Sequence, residues 1–79
     1  MSQESYRRFE PSPSANVLSF TDGPYVAHVV CPSALGCWSY VVFYGGRAID
    51  GAYSWDLDAF QACELALAVI DAHRKGVIR

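Results

Sequence analysis

The side chains that could bind a metal ion are three cysteines and two histidines. Thiolate and imidazole ligands suit zinc, so the candidate set is His28, Cys31 and Cys37, with His73 or Cys63 as a fourth ligand. This set lacks the close Cys-x-x-Cys pair that is typical of zinc sites. Because buried cysteine is also a common small hydrophobic residue, we expect no bound metal and no cofactor.

Catalysis by cysteine would need a thiolate beside a histidine, together with a group that orients the imidazole. Nothing in the spacing brings such a set together, and Cys63 lies in an apolar helical pattern. Three carboxylates lie near the start of the predicted helix: Asp50, Asp56 and Asp58. Helix capping explains them better than general acid–base chemistry. We therefore predict that the protein is not an enzyme.

Nucleic-acid recognition is also disfavoured by the sequence. The net charge is −2 at pH 7, and contact with a phosphate backbone depends on positive charge. The Gly45-Gly46 pair is not followed by the Gly-Lys-Ser/Thr of a phosphate-binding loop. Aromatic residues on a strand can stack bases, but here Arg47 is the one basic residue among them. We expect no nucleic-acid partner.

The size and polarity of the chain limit its possible architecture and location. The chain has 79 residues, which is enough for one hydrophobic core, and 52% of them are apolar. No stretch approaches the roughly 20 apolar residues that span a bilayer. Residues Met1 to Pro13 lack the apolar centre of a secretory signal. We therefore expect a cytoplasmic protein with reduced thiols and no membrane association.

The N-terminal part of the chain divides into a tail and two strands. Residues 1–16 are rich in serine and proline, which predicts a flexible tail before a single α+β domain over residues 17–79. Asn16 to Thr21 predicts a short edge strand, and Asp22-Gly23-Pro24 predicts a turn. The β-branched run from Tyr25 to Cys31 predicts a second strand.

The clearest local pattern is a β-hairpin. Cys37 to Tyr44 and Arg47 to Ser54 are strand-like runs joined by Gly45-Gly46, which suits a tight turn with positive φ. The turn sets a register that alternation then extends along both strands. The predicted cross-strand pairs are Tyr44–Arg47, Val42–Ile49, Tyr40–Gly51 and Trp38–Tyr53.

A single amphipathic helix follows the hairpin, from about Leu57 to Lys75. Asp56 or Asp58 can cap its start, and Asp58 with Gln61 resembles a capping box. Gly76 is placed to end it. The predicted fold is therefore α+β, a three- to four-stranded antiparallel sheet with one C-terminal helix packed on one face.

One helix covers only one face of the hairpin, so an apolar face remains. The smoother face with Val41, Phe43, Ala48 and Ala52 best fits an alanine-rich helix. That choice leaves open the candidate partner-binding residues Trp38, Tyr40, Tyr44, Arg47 and Tyr53, whose types dominate binding hot spots. If the helix covers the aromatic face instead, Val41 and Phe43 stay open. The remaining face is covered by the N-terminal segment, by a second copy in a homodimer, or by a foreign protein.

The stretch YVAHVVCPSALGCW, Tyr25 to Trp38, resembles the signature of HicB antitoxins. In that family a strand leads into a proline, a Gly-Cys pair and another strand, and Pro32, Gly36 and Cys37 match in kind. The spacing departs by a residue, the second proline is missing, and a long hairpin precedes the alanine-rich helix. The resemblance implies a small RNase toxin as partner.

The whole plan resembles small phage-encoded proteins of the anti-CRISPR type. These pair a glycine-turn hairpin, here VVFYGGRAIDGAY, with an alanine-rich helix, here LDAFQACELALAVIDAHR. The resemblance implies steric inhibition of a bacterial effector complex without chemistry. Our leading hypothesis is thus a non-enzymatic inhibitor that binds a protein, and the alternatives are an antitoxin-like partner and a small metal-binding or enzymatic domain.

Overall fold

A five-stranded antiparallel sheet carries one long helix on one of its faces. The computed structural model describes residues 4–12, 16–31, 38–54 and 57–76, with the backbone alone for residues 53 and 54. The elements are α1 (Glu4–Arg7), β1 (Glu10–Pro11), β2 (Val17–Asp22), β3 (Tyr25–Val30), β4 (Trp38–Tyr44), β5 (Arg47–Ser54) and α2 (Ala59–Arg74). Each strand pairs with the next along the chain, in the order β1-β2-β3-β4-β5. The predicted α+β class is confirmed, with more strands than the predicted three or four.

The additional strand is β1, which pairs Glu10 with Ser19 and Pro11 with Leu18. It lies beside β2, so the strand predicted at the sheet edge has neighbours on both sides. Two residues are too few to show alternation, and proline cannot donate to a ladder. The strand therefore leaves no recognisable pattern in the sequence.

The N-terminal segment contributes to the core. Phe9 is only 6% exposed and its ring lies 5.5 Å from the ring of Phe20. Tyr6 on α1 packs edge-on against Phe60 of α2, with ring centroids 4.7 Å apart. The sequence predicts a flexible tail over residues 1–16, but residues 4–12 of it lie against the domain. Two aromatic rings make these contacts, and two rings among polar residues give no periodic pattern.

The β4–β5 hairpin forms as predicted near its turn and departs from the prediction further along. Gly45 and Gly46 have φ values of 58° and 86°, and Tyr44 pairs with Arg47. A β-bulge then interrupts the register between Val42 and Phe43. Because the bulge adds Ile49 to β5, the predicted pairs Val42–Ile49, Tyr40–Gly51 and Trp38–Tyr53 are wrong. The observed pairs are Val42–Asp50, Tyr40–Ala52, Ser39–Tyr53 and Trp38–Ser54.

The bulge also shapes the exposed edge of β5. Asp50 follows the bulge, is exposed, and accepts a 2.8 Å hydrogen bond from the amide of Gly51 through Oδ1. A Cβ atom at Gly51 would lie 2.9 Å from the carbonyl oxygen of Tyr40, so the strands approach closely there. A bulge and a charged side chain on an edge strand both discourage pairing with another strand.

The ends of α2 agree closely with the sequence. Asp58 Oδ1 accepts from the amide of Gln61 at 2.8 Å, and Gln61 Oε1 accepts from the amide of Asp58 at 3.1 Å. This reciprocal pair is the predicted capping box. At the other end Gly76 has a φ of 76° and donates to the carbonyl of His73. Both ends of the helix are thus fixed by local contacts.

The core lies between α2 and the sheet face that carries Val29 and Val42, both fully buried. Trp38 and Tyr40 pack against this core, so the preferred assignment of the aromatic face as open is wrong. The central strand explains the choice, because Ala27 of β3 lies on the same face as the aromatic residues. A small side chain there lets the alanine-rich helix approach the sheet closely. The hairpin considered alone does not contain this information.

Candidate partner-binding surface

The five predicted partner-binding residues do not form one exposed face. Trp38 and Tyr40 are partly buried against the core beneath α2. Tyr44 is 42% exposed and Arg47 is exposed, and they face each other beside the hairpin turn. Tyr53 pairs with Ser39 through its backbone, and its side chain lies outside the described residues. The structure therefore keeps Tyr44 and Arg47 together at the surface and separates them from Trp38 and Tyr40.

Tyr40 has the character of a structural side chain. Burial raises the pKa of its hydroxyl, and the negative charge of Asp50 raises it further. Both effects favour the neutral phenol. Tyr40 also lies opposite Ala52 and packs against the core. Its main contribution is therefore to the covered side of the sheet.

The sheet face opposite α2, here called the open face, is largely apolar. On β3 the residues Val26, His28 and Val30 alternate with buried ones and are partly exposed. Val41 and Phe43 of β4 lie beside them, paired with His28 and Val26. Both described helices lie on the other side, because α1 contacts α2 and α2 packs on the core. Contiguous apolar patches of this kind usually mark contact sites on small proteins.

The described part of the open face has few polar side-chain contacts, and the shorter one is donated by Ser39 Oγ to the carbonyl oxygen of Val30 at 3.1 Å. Ser19 Oγ and His28 Nδ1 are 3.4 Å apart, which is long for a hydrogen bond. The imidazole of His28 also packs edge-on against Phe43, with ring centroids 5.9 Å apart. The His28 ring therefore makes mainly packing contacts among the valines of the open face.

The hairpin end forms a second exposed region, on the α2 side of the sheet. The rings of Tyr25, Tyr44 and His73 form a three-ring cluster with centroid separations of 4.8, 4.7 and 5.5 Å. The Tyr25 hydroxyl and His73 Nδ1 share a 2.7 Å hydrogen bond. Arg74 lies over the Tyr25 ring and forms an ion pair with Asp22. The hydrogen bond to Asp22 raises the pKa of the Arg74 guanidinium.

The candidate zinc ligands that the structure describes are dispersed. Cys63 is fully buried in the core, where burial raises the pKa of its thiol to about 12. His28 lies on the open face, whereas His73 joins the ring cluster at the end of α2. Cys37 lies outside the described residues. Within residues 4–12, 16–31, 38–54 and 57–76, no group of at least three His, Cys, Asp or Glu side chains could hold a metal ion.

The carboxylates considered for acid–base chemistry have structural contacts. Asp58 caps α2, as the sequence predicts, and Asp50 accepts from the Gly51 amide on the β5 edge. Asp56 lies outside the described residues. Both described carboxylates therefore have local roles that explain their positions.

The HicB-like stretch spans two adjacent antiparallel strands. Tyr25–Val30 forms β3, and Trp38 begins β4, which pairs with it. The residues that carry the resemblance, Pro32, Gly36 and Cys37, lie outside the described part of the chain. The resemblance to HicB antitoxins stays a prediction.

The open-face residues of β3 are the ones that sequence reasoning missed. Val26, His28 and Val30 alternate with Tyr25, Ala27 and Val29, and both sets are apolar enough to face a core. The only available signal was the size of Ala27, which favours a nearby helix.

No helix in the described part of the chain is long and apolar enough to cross a bilayer. No protein-family model, no curated protein and no solved structure matches the chain.

Proposed function

We propose that the protein is a non-enzymatic binding module that attaches to a protein partner through the open face. The observation that carries the proposal is the row of partly exposed apolar side chains on β3 and β4 opposite α2. Burying such a surface against a partner gains roughly 25 cal/mol per Å² of apolar area. A rigid sheet loses little conformational entropy when it binds, which favours it as a docking platform.

The hairpin end extends this surface around the end of the sheet. Tyr44 and Arg47 are exposed there, next to the open-face residue Phe43. Tyrosine and arginine are enriched among residues that dominate binding energies. We propose that they form the second part of the contact, in place of the five-residue aromatic face predicted from the sequence.

The partner that we propose is a bacterial defence complex of the CRISPR–Cas type, which the protein inhibits by steric binding in the cytoplasm. Support comes from the small α+β fold, which has a glycine-turn hairpin and an alanine-rich helix. The helix covers one face of the sheet to form the core, and the other face is left to contact a partner. Inhibition by occupancy needs no reacting group on the inhibitor. The proposal therefore rests on shape and apolar area.

A binding and cleavage assay tests this function. Purified full-length protein is added to a panel of purified CRISPR–Cas effector complexes, and complex formation and target-DNA cleavage are measured. The test variant carries Val26→Thr and Val41→Thr, which keep the β-branched shape but add hydroxyl groups to the open face. The control is Leu65→Gln, because Leu65 is 42% exposed on α2, away from this face.

We expect tight binding and loss of cleavage with the unmodified protein and with the Leu65→Gln control. The double threonine variant should bind at least about tenfold more weakly, since burying two hydroxyl groups without partners costs on the order of 1–3 kcal/mol each. Equal binding by both variants would show that the open face is not the contact. Absence of binding to every effector complex would refute the defence-complex assignment.

A further inference from the structure

A cleft lies between the hairpin end and the last turn of α2. Its volume is about 240 Å³, and it is lined by Tyr44, Arg47, Ala48, Ile49 and His73. Arg47 enters it because the Gly45-Gly46 turn places the residue directly opposite Tyr44. The bulge adds Ile49, which packs against the core and forms an apolar part of the wall.

The aromatic wall of the cleft is held in place by its own contacts. The rings of Tyr44 and His73 are 4.7 Å apart with an interplanar angle of 41°. The Tyr25 hydroxyl forms a 2.7 Å hydrogen bond with Nδ1 of His73, which fixes the orientation of the imidazole. The other ring nitrogen, Nε2, has no hydrogen-bond partner within the described ranges of the chain. One donor or acceptor position of the wall thus remains unused.

Among the described residues, no neighbouring carboxylate balances the charge of Arg47 in the cleft. Arg74 pairs with Asp22, and Lys75 pairs with Asp71 at 2.9 Å. Arg47 has no carboxylate partner among the residues that the structure describes. A guanidinium presents a planar fork of donors that matches the two oxygens of a carboxylate. The cleft therefore combines an unpaired cation with an aromatic wall.

The same location penalises a single negative charge less than a double one. The cleft lies at the C-terminal end of α2, where the helix dipole amounts to about half a negative charge. That end disfavours a phosphate dianion, which would also need more donors than one guanidinium and one imidazole supply. A carboxylate carries one charge and is satisfied by one bidentate arginine.

We propose that this cleft is a carboxylate-binding site that receives an acidic side chain, aspartate or glutamate, of the protein partner, with Arg47 as its principal ligand. The inference names the chemistry recognised at one part of the proposed surface, and in that respect it rests on the proposed function. Its test uses no partner protein, so the site and the function can fail separately.

The test is a titration of the ¹⁵N-labelled full-length protein followed by NMR at constant ionic strength. The probe is glutamate with an acetylated N-terminus and an amidated C-terminus, which carries one carboxylate. The equivalent glutamine derivative is the neutral control of the same shape, and inorganic phosphate is the third probe. Three protein variants accompany the unmodified chain: Arg47→Gln, Arg47→Lys and Arg8→Gln.

Arg8 is the matched control because it lies over the Phe20 ring on β2, with β3 and β4 between it and β5. We expect saturable shifts at Tyr44, Arg47–Ile49 and His73 with the glutamate probe, with a dissociation constant on the order of millimolar. Arg47→Gln should weaken binding about tenfold or more, and Arg47→Lys should weaken it by less. Arg8→Gln should leave it unchanged.

Three results would overturn the proposal. Non-saturable shifts, or equal shifts with the glutamine probe, would show that no carboxylate site exists. Equal weakening by Arg8→Gln and Arg47→Gln would show a general effect of charge. Tighter binding of phosphate than of the glutamate probe would contradict the carboxylate assignment.

Discussion

On one face of the sheet, Val29 and Val42 lie beneath α2 and are completely shielded from solvent, whereas on the other face Val26 and Val41 remain partly exposed. These are four residues of one type on two adjacent strands. Only the strand register decides which of them enters the core. The comparison teaches that composition alone assigns no role to a valine in this sheet.

The two faces also differ in how closely another element can approach. Ala27 on β3 and Ala62 and Ala66 on α2 are all fully buried in one cluster. Small residues on both sides allow the helix backbone to lie near the sheet, and dispersion contacts then accumulate over the whole interface. The open face has Val26 where the covered face has Ala27, and among the described residues no helix packs on it. We expect this difference to appear in four measurements.

The largest expected effect is in cysteine reactivity. At pH 8 iodoacetamide should modify Cys63 roughly a thousandfold more slowly than Cys31, because Cys63 is fully buried and reacts only after unfolding. Its thiol pKa of about 12 also keeps it protonated. Site-specific mass spectrometry measures both rates, and the difference should vanish in concentrated urea. Equal rates in the folded protein would mean that the covered face is open to solvent.

Truncation of neighbouring valines on β4 gives the second contrast. Val42→Ala should lower the free energy of unfolding by about 2 kcal/mol, because it removes buried carbon and leaves a cavity. Val41→Ala, one residue away on the open face, should cost about 0.5 kcal/mol. Urea denaturation followed by tryptophan fluorescence measures both. Losses of similar size would contradict the assignment of the two faces.

The third expected effect is a loss of stability at high pH that depends on Cys63. The folded-state pKa of the thiol is raised to about 12 from an ordinary value of 9.0, so the unfolded chain releases its proton first. This contribution to stability is complete below pH 9 and is lost as the pH rises toward 12, by at most about 1.4 kcal/mol per pH unit. The difference in unfolding free energy between the natural chain and Cys63→Ala should therefore shrink across this range. A constant difference would show that the thiol is not shielded.

The smallest contrast concerns the two histidine hydrogen bonds. Tyr25→Phe removes a 2.7 Å contact to His73 on the covered side and should cost about 1 kcal/mol. Ser19→Ala removes the 3.4 Å contact to His28 on the open face and should change stability by less than about 0.5 kcal/mol. Thermal denaturation of the two variants gives the comparison. A larger loss for Ser19→Ala would mean that His28 is held more firmly than its geometry indicates.

Local patterns in the sequence predicted local structure well. The Gly45-Gly46 turn, the Asp58–Gln61 capping box and the end of α2 at Gly76 are all confirmed. Each depends on contacts within a few residues, so the information is present in a short stretch of chain. The α+β class followed from the same patterns.

Features that depend on distant contacts were predicted less well. The bulge between Val42 and Phe43 depends on how two strands fit together. The residues near it that could indicate a bulge are Asp50 and Gly51, and aspartate and glycine occur in many other local structures. The choice of face depends on Ala27, which the hairpin does not contain. The hairpin alone does not show which of its faces the helix covers, and for this reason the sequence places Trp38 and Tyr40 on the wrong side. Tyr44 and Arg47 lie at the surface at the turn end of the hairpin.

The hydrogen bond from Gly51 to Asp50 on the outer strand has a consequence for how the protein behaves when it is abundant. An amide that is already occupied by a neighbouring carboxylate gives an incoming chain one fewer anchor. Each molecule that added to this strand edge would also place another Asp50 carboxylate beside the first. Concentrated preparations should accordingly not develop thioflavin-positive fibrils that grow through this strand.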